Sequence, residues 1–375
     1  MKLSVIKQSL IIFISLLVFS CKNDVNQAKP EVIKNNNIKY AKGFNIQHFK
    51  NYTKLTINAP YLNSKETFEF ILTDTITKSN RTTIKTPINS IVTTSTTHIP
   101  MLELLNAETS LVGFPNTNYI SSERTRKLVS SGFIKDLGHE ESINTELLLD
   151  LKPNLVVGFS LNSNNKMFAS IEKLGIPVLL NGDWLEETPL GRAEWIKFFG
   201  ILLNKERQAD SIFNVIENNY LEAKNIASKA NTKPTIVSGG LFKYIWNLPA
   251  GESFEAAFLK DAYTTYLWKN SKGKGSLSLN IENVFDKGKD ADIWISPSFL
   301  KNLEDLEKAN DIYPKFKAFK TKTIYTFVNK QGEKGGIIYF ELAPARPDLV
   351  LKDLIKIAHP ELLKDYEFTF YERLK

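Results

Sequence analysis

Residues 144–160, NTELLLDLKPNLVVGFS, decide the fold of this 375-residue chain. An asparagine stands where a helix would be capped, an acid falls in the first turn, and Lys152-Pro153 stops the helix ahead of the apolar run LVVGF. A run apolar on both faces is a strand buried in a parallel sheet, not a half-exposed hairpin strand. The same order of signals returns at 280–298, NIENVFDKGKDADIWISPS, so that Glu146 lies over Glu282 and Asp150 over Asp286. Taken singly, an acid near a helix N-terminus is stabilised by the helix dipole and needs no further role.

Around the first copy, the runs INSIVTTS (88–95), SLVGF (110–114) and IPVLLN (176–181) alternate with helical patterns such as MLELLN (101–106) and MFASIEKLG (167–175). Around the second, TIVSGGLF (235–242), ADIWISP (291–297) and TIYTF (323–327) alternate with SFEAAFLKDAY and NLEDLEKAN. Strands spaced by helices predict α/β lobes of mostly parallel sheet with flanking helices. The expected lobes are 44–190 and 231–375. Between them, 191–230 has no proline and only Gly200 beyond its first residue, which predicts one long rigid helix or two abutting ones. Lobes joined by a rigid rod close only slightly. Residues 44–77, with KLTINAP and TFEFILTD, read as an added β segment, either a hairpin packed on the first lobe or a surface for a partner.

The amino end reads as a targeting signal. Lys2 and Lys7 precede an apolar run over 10–19, too short to span a bilayer, and Cys21, the single cysteine, follows Val18-Phe19-Ser20. The expectation is a signal peptide over 1–20 and a lipidated Cys21 that anchors the chain to a membrane; residues 21–43, polar and rich in Asn and Lys, read as a flexible tether. Without Lys2 and Lys7 the chain carries 46 Lys+Arg against 41 Asp+Glu, a mild surplus that suits a small anionic ligand or a membrane surface and not nucleic acid.

Catalytic signatures are missing: there is no G-x-S-x-G elbow, P-loop, G-x-G-x-x-G turn or HExxH helix. Glu186 and Glu187 are adjacent and solvent-facing by default, a poor basis for acid/base chemistry. The four histidines, His48, His98, His139 and His359, are scattered, so direct capture of a bare metal ion is not expected and no cofactor is. A cleft between the lobes, at the carboxyl ends of the strands, is the expected ligand site. Trp184, Phe242 and Trp246 are its expected aromatic grips, with His98, His139, Ser276 and Arg346 as further ligand-binding candidates, while Trp195 and Trp294 belong to the core. Tyr339 and Glu341 lie close enough in sequence to Arg346 to be considered for the cleft. For Arg346 the competing role is to cap the final helix.

The chain resembles the substrate-binding proteins of the iron-siderophore, haem and cobalamin class of ABC importers, the helical-backbone (class III) periplasmic-binding-protein fold. The resemblance runs over roughly 88–363 and is carried by NTELLLDLKPNLVVG, GRAEWIKFFGILLNKERQAD (191–210), GSLSLNIENVF (275–285) and RPDLVLKDLIKIAHPEL (346–362). It implies a monomer that delivers a metal chelate to a permease and ATPase complex. It also implies that Glu146 and Glu282 are the two acids that meet arginines of the permease. Iron-siderophore is the first expectation, cobalamin the second and haem the third; the loop SKGKGSLSLN ahead of Glu282 lacks the aromatic that similar cobalamin binders carry. A structural or adhesion lipoprotein that kept the fold is the other reading.

Overall fold

The computed structural model describes residues 31–35, 38–75, 82–139, 142–163 and 165–375. The signal, Cys21 and about half of the expected tether lie outside these residues. Among the described residues, no helix is long and apolar enough to cross a membrane.

The first lobe is built on a five-stranded parallel sheet in the order Val178–Leu180, Leu155–Gly158, Ile91–Thr93, Leu111–Phe114, Lys135–Asp136. Leu155–Gly158 is buried along its whole length, as a doubly covered strand must be. The helix Thr145–Leu151 precedes it: Asn144 accepts the Leu147 N–H at 3.0 Å, and the helix ends at Lys152 in the left-handed region, just before Pro153. Gly158 makes room for Phe168, since a Cβ there would stand 2.2 Å from the ring and force it to shift.

The second lobe repeats the plan. Its sheet runs Thr265–Tyr266, Thr235–Ser238, Ile293–Ile295, Ile324–Thr326, closed by the antiparallel edge strand Glu372–Arg373. With the outer edge strands Lys135–Asp136 and Glu372–Arg373 set aside, both lobes order their strands fourth, third, first, second in chain sequence. The helix Ile281–Gly288 before the third strand is again capped by an asparagine, Asn280, which accepts the Asn283 N–H at 2.9 Å.

The run TIVSGGLF breaks in the middle. Gly239, at φ 79°, turns the chain out of the parallel sheet into a separate antiparallel sheet of Gly240–Phe242, Ile245–Pro249 and Ser276–Leu279. A side chain at Gly239 would place its Cβ 1.9 Å from the Asn247 carbonyl oxygen.

Residues 191–230 form three helical pieces, not one or two. The helix Pro189–Glu194 is followed by Ile196–Leu202, and then by the 22-residue helix Glu206–Ala227. Asn204, in the left-handed region, makes the second break. The last piece, about 33 Å long at 1.5 Å per residue, joins the lobes. Its Phe213 and Ile216 belong to the first core, and its Tyr220, Ala223 and Ala227 to the second.

The added β segment is a five-stranded sheet, antiparallel through Phe44–His48, Thr53–Asn58 and Thr67–Thr73. Phe44, Ile46, Leu55, Ile57, Phe70 and Leu72 face inward, and the Phe44 ring meets Trp195 at 4.7 Å. Residues 38–43, read as part of a flexible tether, are instead strapped to the linking helices. Glu194 accepts the N–H groups of Lys39, Tyr40 and Ala41, and Glu186 those of Lys42 and Gly43. Glu186 is therefore buried and not solvent-facing; burial raises its pKa, against the lowering effect of these backbone donors and of the Trp195 Nε1–H at 3.0 Å. Glu187 stays at the surface, where it pairs with Lys42 at 3.2 Å and with Lys274 of the second lobe.

Candidate functional site

Every strand that approaches the middle of the molecule delivers a loop at its carboxyl end. Ile91–Thr93 gives residues 94–97, Leu111–Phe114 gives Pro115 and Asn116, Leu155–Gly158 gives Phe159, and Val178–Leu180 gives Asp183 and Trp184; together they line a cleft of about 910 Å³. From the second lobe, Gly239, Ser296, Phe299 and Phe327 follow their strands in the same way and line a space of about 990 Å³. A deeper space of about 340 Å³ connects them, sharing Phe340 with the first and Phe299 and Phe327 with the second. Volumes of this size suit a drug-sized or larger ligand.

Both sides mix polar groups with aromatic rings. The first lobe sets the hydroxyl and amide groups of Thr94, Ser95, Thr97 and Asn116 beside Tyr119, Phe159 and Trp184. Thr97 donates its hydroxyl to Asp183 at 2.8 Å, and the Trp184 ring stands edge-on to Phe159 at 5.4 Å. The second lobe offers aromatics left in solvent, with Phe242 66%, Tyr244 91% and Phe299 64% exposed. Exposed rings grouped on a concave surface are a contact surface in waiting. Lys243, Ser296 and Ser298, on the same wall, all hold left-handed backbone, which non-glycine residues adopt at a cost and which gathers at binding sites.

At the deep end Arg192 and Glu255 border a pocket with Tyr339. Arg192 donates to the Trp184 carbonyl at 2.7 Å and lies 3.4 Å over the Phe254 ring. Burial pushes its pKa down and that of Glu255 up, and their mutual attraction opposes both shifts. Tyr339 stacks on Phe327 at 4.3 Å, and burial holds its hydroxyl well above the usual phenol range.

Of the residues expected at the cleft, Trp184 and His139 line the first space, Phe242 the second and Ser276 the connecting one. Three others lie elsewhere. Trp246 is fully buried, because alternation along Ile245–Pro249 sends it and Leu248 inward; it stacks on Trp294 at 5.3 Å and donates to the Ser238 carbonyl. His98 is the first residue of the helix His98–Leu104 and points into the core against Phe199, where burial lowers its pKa to about 4 and keeps it neutral. Arg346 forks onto Asp348 at 2.9 and 2.8 Å at the start of the final helix, where its side chain makes no capping hydrogen bond, and it does not line the described spaces. Trp195 and Trp294 are core, as expected.

Tyr119, Phe299 and Phe340 were missed. Phe299 carried the signal that located Trp184, an aromatic just beyond a strand's carboxyl end; Phe340, on a five-residue helix, carried none. Glu146 and Glu282 are both exposed and both in the first turn of the helix that precedes their lobe's third strand.

Two lobes with one strand order, loops of both facing one cleft and a helix through both cores are mirrored in sequence. The periplasmic binding protein family model matches residues 91–330. The chain belongs to that family. An uncharacterised lipoprotein of Methanocaldococcus jannaschii is 27% identical over 295 residues, 77% of this chain and 69% of its own. A possible iron-binding periplasmic solute-binding protein of Staphylococcus epidermidis superposes with a TM-score of 0.58 at 19% identity, covering 73% of this chain and 99% of that one. The periplasmic haem-binding protein of Vibrio cholerae gives 0.54 at 16%, covering 70% and 99%. Among the described residues, no group of three or more His, Cys, Asp or Glu side chains could hold a metal ion. The strapped segment and most of the added sheet precede the family match.

Proposed function

We propose that this periplasmic binding protein is an extracytoplasmic lipoprotein, anchored through Cys21, that captures a metal chelate and passes it without turnover to the permease and ATPase of an ABC importer. An iron-siderophore is the first choice of ligand, with cobalamin and haem as alternatives. The observation that carries the proposal is the pairing of Glu146 and Glu282: exposed acids on corresponding turns of two lobes with the same strand order, Glu282 also standing at the border of the second space. A permease with two equivalent halves needs two equivalent handles. Charges at an exposed rim set orientation and encounter rate more than ligand affinity.

The cleft supports a chelate as cargo. A metal that arrives already wrapped needs no protein ligands, and walls that mix aromatic rings with hydroxyl and amide groups on both lobes suit a bulky ligand with carbon faces and a polar edge. The iron-binding and haem-binding descriptions of the structural relatives point the same way.

The test is transport by cells that carry a Glu146→Ala/Glu282→Ala double variant, with ligand binding measured on the purified chain. Impaired uptake with unchanged ligand affinity supports docking by these acids. Lost ligand affinity would remove them from the rim and the proposal with them.

A further inference from the structure

Besides the Glu187–Lys274 pair, the lobes touch at a seam that the linking helices do not explain. The short helix Ile338–Leu342 belongs to the second lobe, where Tyr339 and Ala343 enter the core, yet its Glu341 turns the other way, 3% exposed. Its two carboxylate oxygens accept the backbone N–H groups of Ser121 at 2.8 Å and Ser122 at 2.9 Å. Those amides belong to the first lobe and open the helix Glu123–Ser130, which Ser122 caps. Beside them the backbones meet almost directly: a Cβ on Gly332 would stand 2.4 Å from the Ser121 oxygen, and one on Gly336 2.4 Å from the Tyr119 oxygen. Tyr119, Gly335, Gly336 and Phe340 all line the cleft, so this seam is one of its walls.

We propose that Glu341 is the positioning residue that holds this wall shut and thereby sets the gap between the lobes for the ligand. The ligand part of the proposal rests on the cleft being the capture site, as argued above. A carboxyl group is suited to such a latch because each oxygen faces one N–H, and a proton on it can point away from both; an amide would turn its NH2 toward one of them.

An ionised latch would have no cation paired with it among the described residues. On the helix packed against it, Glu103 is a like charge, itself taken up by the hydroxyls of Ser122 and Thr125, and His98 is neutral. The cations of Glu123–Ser130 are engaged elsewhere, Arg124 with Glu108 and Arg126 with the Thr117 carbonyl, while Arg346 is held by Asp348. Burial, with Glu103 adding to it, accordingly raises the Glu341 pKa to about 7, although the Ser121 and Ser122 donors pull the other way. A docked carboxyl that keeps its proton up to about 7, where a free one loses it near 4.5, stabilises the seam fully below the lower value. That contribution is lost as pH rises through the upper one. Closing the seam takes up a proton.

The measurement is the distance between spin labels at Leu161→Cys in the first lobe and Tyr244→Cys in the second, both exposed, in the full chain with Cys21→Ser. It is read from about pH 5 to about pH 8. The distance distribution should lengthen and broaden toward alkaline pH in the parent, lose that dependence in Glu341→Gln, and regain it in Glu341→Asp. A parent distance indifferent to pH, or a response that survives in Glu341→Gln, overturns the proposal. Should Glu341→Gln fail to fold, the parent and Glu341→Asp profiles still decide it, since a parent that does not respond overturns it alone. Titrating the unlabelled parent, with Tyr244 intact, with haem and with a ferric trihydroxamate separates the two ideas. No binding by either at any pH counts against the capture site, because the distance measurement needs no ligand.

Discussion

The carboxylate of Glu194, on the linking helices, accepts the backbone N–H of Tyr40 at 2.7 Å. The N–H groups of Lys39 and Ala41 and the Lys197 ammonium converge on the same fully buried side chain. Tyr40 in turn gives its hydroxyl to Glu217 at 2.7 Å, and its ring is packed against the cores of both lobes. The end of a segment that reads as a solvent-borne tether is therefore fixed at the point where the lobes join.

Removing that carboxylate leaves buried donors and a buried cation without their acceptor. Glu194→Ala should cost about 3–5 kcal/mol of stability, seen as a lower urea midpoint. Deleting residues 1–43 should cost a comparable amount, because it strips Glu194 and Glu186 of their donors; a tether that is merely solvated would leave the midpoint unchanged.

Trp246 and Phe242 lie four residues apart and should separate cleanly. Trp246→Ala removes a fully buried ring from the Trp294 and Phe316 cluster and should cost about 3–5 kcal/mol. Phe242→Ala, at an exposed position, should change stability by no more than about 0.5 kcal/mol while weakening chelate binding. A larger stability loss for Phe242→Ala than for Trp246→Ala would mean that the hairpin alternates in the opposite phase.

Acid and base should pull this protein in opposite directions through two residues. His98, depressed by burial to about 4, disfavours the folded state as pH falls from 6.5 through 4, a loss of about 3 kcal/mol. Glu341, raised by burial to about 7, contributes stability that is present below 4.5 and lost as pH rises through 7. Unfolding free energies read as differences from the parent should show His98→Leu losing less on acidification and Glu341→Gln losing less on the alkaline side. Difference curves that are flat against pH would contradict both assignments.

The fold was legible because its signals are local and duplicated: Asn144 and Asn280 cap their helices where the spacing placed them, and the runs beyond them are buried strands. What escaped depends on phase or on distance along the chain. Trp246 turns inward because the hairpin reverses at Lys243, a residue in left-handed backbone that no turn signature marks. His98 faces the core although its neighbour Thr97 lines the cleft, a difference of one residue at the start of a helix. The strap needs Glu186 and Glu194, more than 140 residues away, to be buried, and an acid is read as solvated until its partners are known.

The central claim, that the space between the lobes holds a chelate, is tested most directly by tryptophan fluorescence of the mature chain during titration with ferric siderophores, haem and cobalamin. Trp195, Trp246 and Trp294 are fully buried, whereas Trp184 lines the cleft beside Phe159. The account predicts saturable quenching by one of these ligands, most of it lost in Trp184→Phe. Quenching by none of them, or quenching that Trp184→Phe leaves intact, would contradict it.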